Sequence, residues 1–96
     1  MALISGSQYT VVEGTPGAWF TASGSSFLAD VDTSGSVIIE TRRDSGDATP
    51  KPLADGISGT GVRVLNGPCS ALVISVASRQ YRFVSQRGSA TVAADQ

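Results

Sequence analysis

The string Asp30-Val31-Asp32-Thr33-Ser34-Gly35 holds the densest set of potential ligands in the chain. Carboxylates at positions one and three, an oxygen at five and Gly at six match the opening of a calcium loop. The twelfth position of such a loop is Thr41, where a bidentate Glu is required, and Glu40 falls one place early. The plainer reading is a strand end followed by a turn whose side chains bond the local backbone. No metal and no cofactor are expected. The rest of the sequence narrows the chemistry further. With no His in the chain, Ser-His-Asp and Cys-His catalysis and every His-containing metal site are excluded. The one Cys, Cys69, has no basic neighbour to lower its pKa and reads as a small buried hydrophobe.

The same string resembles, at a distance, the Asp-Thr-Gly or Asp-Ser-Gly turn of dimeric retroviral-type aspartic proteases. In those enzymes two subunits each supply a carboxylate, and the pair shares one proton without any His. Here Asp32-Thr33-Ser34-Gly35 carries one residue too many, and no late Gly-Arg-Asp or Gly-Arg-Asn follows. No catalytic residue is assigned, and the chain is expected not to be an enzyme.

Two further groups have alternative readings. Tyr9 and Trp19 could form a stacking platform for a sugar or peptide, although a lone Trp in a small β domain more often anchors a core or an interface. Arg42-Arg43-Asp44 falls at a turn, where it is either solvated or part of an ion pair between subunits.

These side chains must be positioned by strands. Ser, Thr and Gly supply 14, 8 and 11 residues, whereas there are one Lys, two Glu and one Met. Val, Ile and Thr suit a pleated surface and lose side-chain freedom in a helix. Turn residues recur at Glu13–Gly17, Ser23–Ser25, Thr33–Gly35, Asp44–Asp47, Asp55-Gly56, Asn66–Pro68 and Arg87-Gly88. That spacing is the pattern of a sandwich or small barrel. It predicts strands near 8–13, 18–22, 26–31, 36–43, 61–66, 70–77, 79–86 and 89–94. Residues 48–60 form either a loop or a broken edge strand. Leu72, Ile74 and Val76 share one face. Val37 and Ile39 oppose Glu40 and Arg42, with Ile38 breaking the alternation. Tyr81 and Phe83 face inward and Arg82 outward; Arg87-Gly88 is expected to make a hairpin that returns Ala90, Val92 and Ala94 on the same inner face.

The fold expected is therefore all-β, a single antiparallel sandwich of six to eight short strands, Ig-like or jelly-roll-like. Residues 1–96 form one domain, and 1–7 read as an N-terminal arm. A net charge of −1 argues against nucleic acid. No apolar run approaches the ~18 residues of a membrane span, and the first residues lack the basic region of a secretory signal. Synthesis in the cytoplasm is the expectation, with no membrane partner.

Two stretches resemble short structural proteins of tailed bacteriophages. One is Ser36-Val-Ile-Ile-Glu-Thr-Arg-Arg-Asp-Ser-Gly-Asp-Ala-Thr49, a strand entering an Asp/Gly turn. The other is Gln80-Tyr-Arg-Phe-Val-Ser-Gln-Arg-Gly-Ser-Ala-Thr-Val92. Members often carry Trp soon after the middle turn, where this chain has Pro50-Lys51. The resemblance implies a non-enzymatic virion protein on the outer surface of a phage particle, made in the host cytoplasm. The role implied is a capsid decoration (cement) subunit, partnered by a major capsid or other virion protein. An adhesion module that binds a glycan or receptor as a fibre or tail component is the alternative, and a dimeric aspartic protease the enzymatic one. A small Ser/Gly-rich sandwich without disulfide or metal has little stability to spare, so a homo-oligomer, trimer or dimer, is expected. Apolar residues cluster in the first third, and interface positions are expected among Leu3, Ile4, Trp19, Phe20, Arg42 and Arg43.

Overall fold

Apolar and β-branched residues at alternate positions give strands with one dry and one wet face, and two such sheets bury their dry faces against each other. The computed structural model describes residues 2–54 and 61–96. Nine strands run in order: β1 (Tyr9–Val11), β2 (Phe20–Thr21), β3 (Ser26–Thr33), β4 (Ser36–Arg42), β5 (Lys51–Pro52), β6 (Val64–Asn66), β7 (Cys69–Ile74), β8 (Gln80–Arg87) and β9 (Ala90–Asp95). The described residues contain no helix. The chain is an all-β protein of two antiparallel sheets, as the turn spacing predicts. The strand count exceeds six to eight by β5, two residues at a sheet edge within the segment that the sequence leaves as loop or broken strand. The turn expected at Asp55-Gly56 lies outside the described residues.

Sheet 1 has the order β1-β9-β3-β7. Sheet 2 has β2-β8-β4-β5, with β6 also paired to β4. Every strand pair is antiparallel. Most connections cross from one sheet to the other, and this corrects one expectation. Arg87-Gly88 does not close a hairpin: β8 pairs with β2 and β4, while β9 pairs with β1 and β3. The physical reason is that both inner faces are apolar. Tyr81 and Phe83 are buried, as are the small Ala90, Val92 and Ala94, so the two strands pack face to face rather than side by side. Gly88 makes the corner at φ +76°, which an L side chain rarely adopts, and its N–H donates to the Glu13 carboxylate.

The core is one cluster drawn from both sheets. Phe27, Val31, Val73 and Val92 face Phe20, Val37, Ile39, Tyr81 and Phe83 across the interior. The rings interlock: Phe20 meets Phe27 edge-on at 5.5 Å and Phe83 stacked at 5.8 Å, and Phe27 meets Tyr81 at 5.3 Å. Such pairs add about 0.5–1.5 kcal/mol each beyond area burial. The first residues are docked on this body. Leu3 N–H donates to Ala94 O at 2.7 Å, Ala2 bridges Asp95, and Ile4 is buried at 3% exposure. Residues 2 and 3 thus lie along β9 on its β1 side, and Ile4 reaches the core.

Candidate functional site

Three surface features answer the chemistry expected of this chain. The first is the acidic string. β3 runs on through Asp30 and Asp32 to Thr33, so the two carboxylates lie two residues apart on an extended strand, on the outer face of sheet 1. Asp30 accepts from the Ser70 hydroxyl, and Asp32 stands across from Thr91. Gln8 and Thr91 complete an open depression around them. Extended backbone cannot wrap oxygens around a cation as a calcium loop does. Thr33 is buried, and its hydroxyl donates to Ser89 O and accepts from Gly35 N–H. That exchange fixes the turn that carries the chain into sheet 2. Among the described residues, no group of three or more His, Cys, Asp or Glu side chains could hold a metal ion. Cys69 is half-buried and packs against the core.

The second feature lies on the outer face of sheet 2. Trp19 precedes the inward-facing Phe20 and so turns outward, where the guanidinium groups of Arg42 and Arg82 lie over its ring at 4.2 and 4.5 Å. Arg42 Nε donates to Gln80 Oε1 at 2.7 Å, and Arg82 is held by Glu40 at 2.6 Å. The ring that could have served as an open sugar platform is therefore covered by two cations. Tyr9 is engaged elsewhere: it packs against the core and its hydroxyl donates to Ala18 O at 2.8 Å. Burial pushes its phenol pKa up from the ordinary value, against the opposing pull of a backbone hydrogen bond.

The remaining expected interface residues separate by burial. Ile4 and Phe20 belong to the core, at 3% and 6% exposure, which removes both from any contact with another subunit. The apolar side chains there are consumed by the inner faces of the sheets. Leu3 is half-buried against the same core. Arg43 pairs with Asp47 in its own turn at 3.5 Å. Arg43 is exposed, whereas Trp19 and Arg42 are half-buried and lie against each other.

The third feature is one whose direction the sequence left open. Leu72, Ile74 and Val76 do share a face, and that face is the outer one: they are 57%, 74% and 64% exposed. Leu28, directly across from Leu72 on β3, adds a fourth at 42%. Val73 and Ser75 take the inner positions, with Ser75 Oγ donating to Gly24 O at 2.9 Å. Leu28, Leu72 and Ile74 thus form an aliphatic stripe on the outer face of sheet 1, with Val76 just beyond the end of β7. Single exposed apolar residues are ordinary; a contiguous stripe marks a contact surface.

Comparison with protein-family models, with curated proteins and with solved structures finds no match to this chain.

Proposed function

We propose that the chain is a non-enzymatic structural subunit, built to be covered by other protein, and that it serves as a capsid decoration subunit of a tailed bacteriophage. The observation that carries the first part is the stripe of Leu28, Leu72 and Ile74 on the outer face of sheet 1, with Val76 just beyond the end of β7. A monomer gains nothing from keeping these side chains in water, whereas an assembly part recovers their transfer free energy on contact. Short Ser, Thr and Gly side chains around them lose little entropy when ordered at an interface. The phage assignment rests on the likeness of residues 36–49 and 80–92 to short phage structural proteins.

The test is co-sedimentation of the purified chain with undecorated phage head shells, followed by heating of the mixture. Saturable binding and a raised shell-disruption temperature are expected. Selective binding to a glycan array in place of shells would transfer the chain to the adhesion class. Peptide hydrolysis abolished by Asp32→Asn would transfer it to the enzymes.

A further inference from the structure

We infer that a second copy of this chain covers the stripe, by antiparallel pairing of β7 with β7 along its free edge. This rests on the assembly reading above and names the occupant of that surface.

The argument begins with the edges of the two sheets. Sheet 1 ends in β1 and β7, sheet 2 in β2 on one side and in β5 and β6 on the other. Four of these strands are two or three residues long, and β5 carries Lys51 and Pro52; β7 has six residues. Short length, charge and Pro are the devices by which natural sheets keep their edges from pairing. Cys69–Ile74 contains no charged residue and no Pro. Among the described residues, the long edge is the one without these devices.

The hydrogen-bonding direction is fixed by two bonds. Ser75 N–H donates to Ser25 O at 2.9 Å, which turns the odd-numbered residues of β7 toward β3. Leu72 O accepts from Arg63 Nη1 at 2.9 Å, which places the even-numbered groups on the open side. Ser70, Leu72 and Ile74 therefore present their N–H and C=O groups away from the sheet. Residues of opposite chains that exchange such bonds must both be even-numbered. A two-fold axis beside Val73 meets that condition and sets Leu72 against Ile74 of the second copy.

Side-chain chemistry favours the same partner. In that register, apolar side chains meet apolar side chains on the outer face, and the two stripes merge into one. No carboxylates are brought together: the nearest one on that face, Asp30, lies one strand in, opposite Ser70, and Asp95 lies two strands in, opposite Leu28 through β3–β9 pairing. The Arg63 side chain is laid over the edge. It must release Leu72 O, and its single hydrogen bond is exchanged for backbone bonds along the strand.

Sedimentation velocity over a concentration series, joined to amide exchange followed by NMR, tests the inference. A dimer is expected, with the Leu72 and Ile74 amides exchanging at least tenfold more slowly in the dimer than in the dilute monomer. L72K/I74K should be monomeric while keeping the strand circular dichroism of the parent, since both positions are solvent-facing. Arg63→Ala, which frees the Leu72 carbonyl without touching the stripe, should still dimerise. A chain monomeric up to millimolar concentration overturns the inference, as does a dimer that survives L72K/I74K or leaves the Leu72 and Ile74 amides in fast exchange. Shell binding is read separately: a dimer that ignores head shells sinks the decoration role and keeps this pairing, and a monomer that binds them does the reverse.

Discussion

Arg42 rests its guanidinium 4.2 Å from the centre of the Trp19 ring, and the same side chain reaches back to Gln80 through Nε. Trp19 thereby ties the strand entering β2 to β4 and β8, the two long strands of sheet 2. It acts as an outer clasp. A cation over an aromatic face contributes about 0.5–1 kcal/mol when exposed and ~2 kcal/mol when drier. Trp19→Ala should therefore lower unfolding free energy by about 2 kcal/mol in a urea titration, with the strand spectrum retained. Complete loss of folding would show that the ring supports the core rather than the sheet exterior.

Phe83 is fully buried and stacks on Phe20. Phe83→Ala removes a ring that both sheets share, at a cost of about 3–5 kcal/mol. A domain of this size has roughly 5–10 kcal/mol in total, so the variant should be partly unfolded at 37 °C. Thermal melting followed at a strand band measures it; an unchanged midpoint would contradict the packing described.

Two glycines separate a steric need from a conformational one. A Cβ on Gly35 would stand 1.8 Å from Arg87 O, where β4 enters its pairing with β8 through a register shift. Gly88 has φ +76° and open space around its missing side chain. Gly35→Ala must push two backbones apart and should cost about 3 kcal/mol. Gly88→Ala meets only backbone strain, about 1 kcal/mol. Chemical denaturation of the two variants side by side reads the difference, and equal costs would refute the close approach at Gly35.

Asp47 organises the β4–β5 turn. Its carboxylate accepts from Arg43 N–H and Thr49 N–H, each at 3.1 Å, and these bonds hold its pKa well below the usual carboxylate range, with the Arg43 charge adding to the effect. A depressed folded-state pKa gives stability that is fully present above the unfolded value, about 4, and is lost as pH falls toward the folded one. Melting temperature should therefore fall more steeply below pH 4 in the parent than in Asp47→Asn. Parallel acid limbs for the two proteins would show that these bonds do not favour the ionised form.

Much of the fold is legible in the sequence because burial and period agree. Tyr81, Phe83, Ala90, Val92 and Ala94 stand at alternate positions of their strands, and the structure buries all five. Where both faces of a strand are apolar or neutral, period fixes which residues travel together and leaves their direction open. β7 is that case: Leu72 and Ile74 outweigh Ala71 and Val73 in hydrophobicity, yet the inner positions go to the smaller residues because the space opposite is filled by the aromatic cluster. The Asp30–Gly35 string misleads for a related reason. Asp and Ser favour turns locally, but Val31 and Thr33 are both needed inside, and their burial carries the strand through the carboxylates. Strand partners 40 or more residues apart, such as Asp30 with Ser70 or Tyr9 with Val92, leave no local mark.

The place of β9 sets a condition on how the protein can be made. It lies between β1 and β3, so the middle of sheet 1 is supplied by residues 90–95. A ribosome delivers β1 and β3 long before their common neighbour emerges. Until then both wait with unpaired edges flanking an empty slot, and β1 has no other strand to join. Closure of sheet 1 in this sense waits on residues 90–95. A polypeptide halted at Gly88 is not a shortened version of the protein but one whose seam was never sewn, with two open strands offered to any chain nearby.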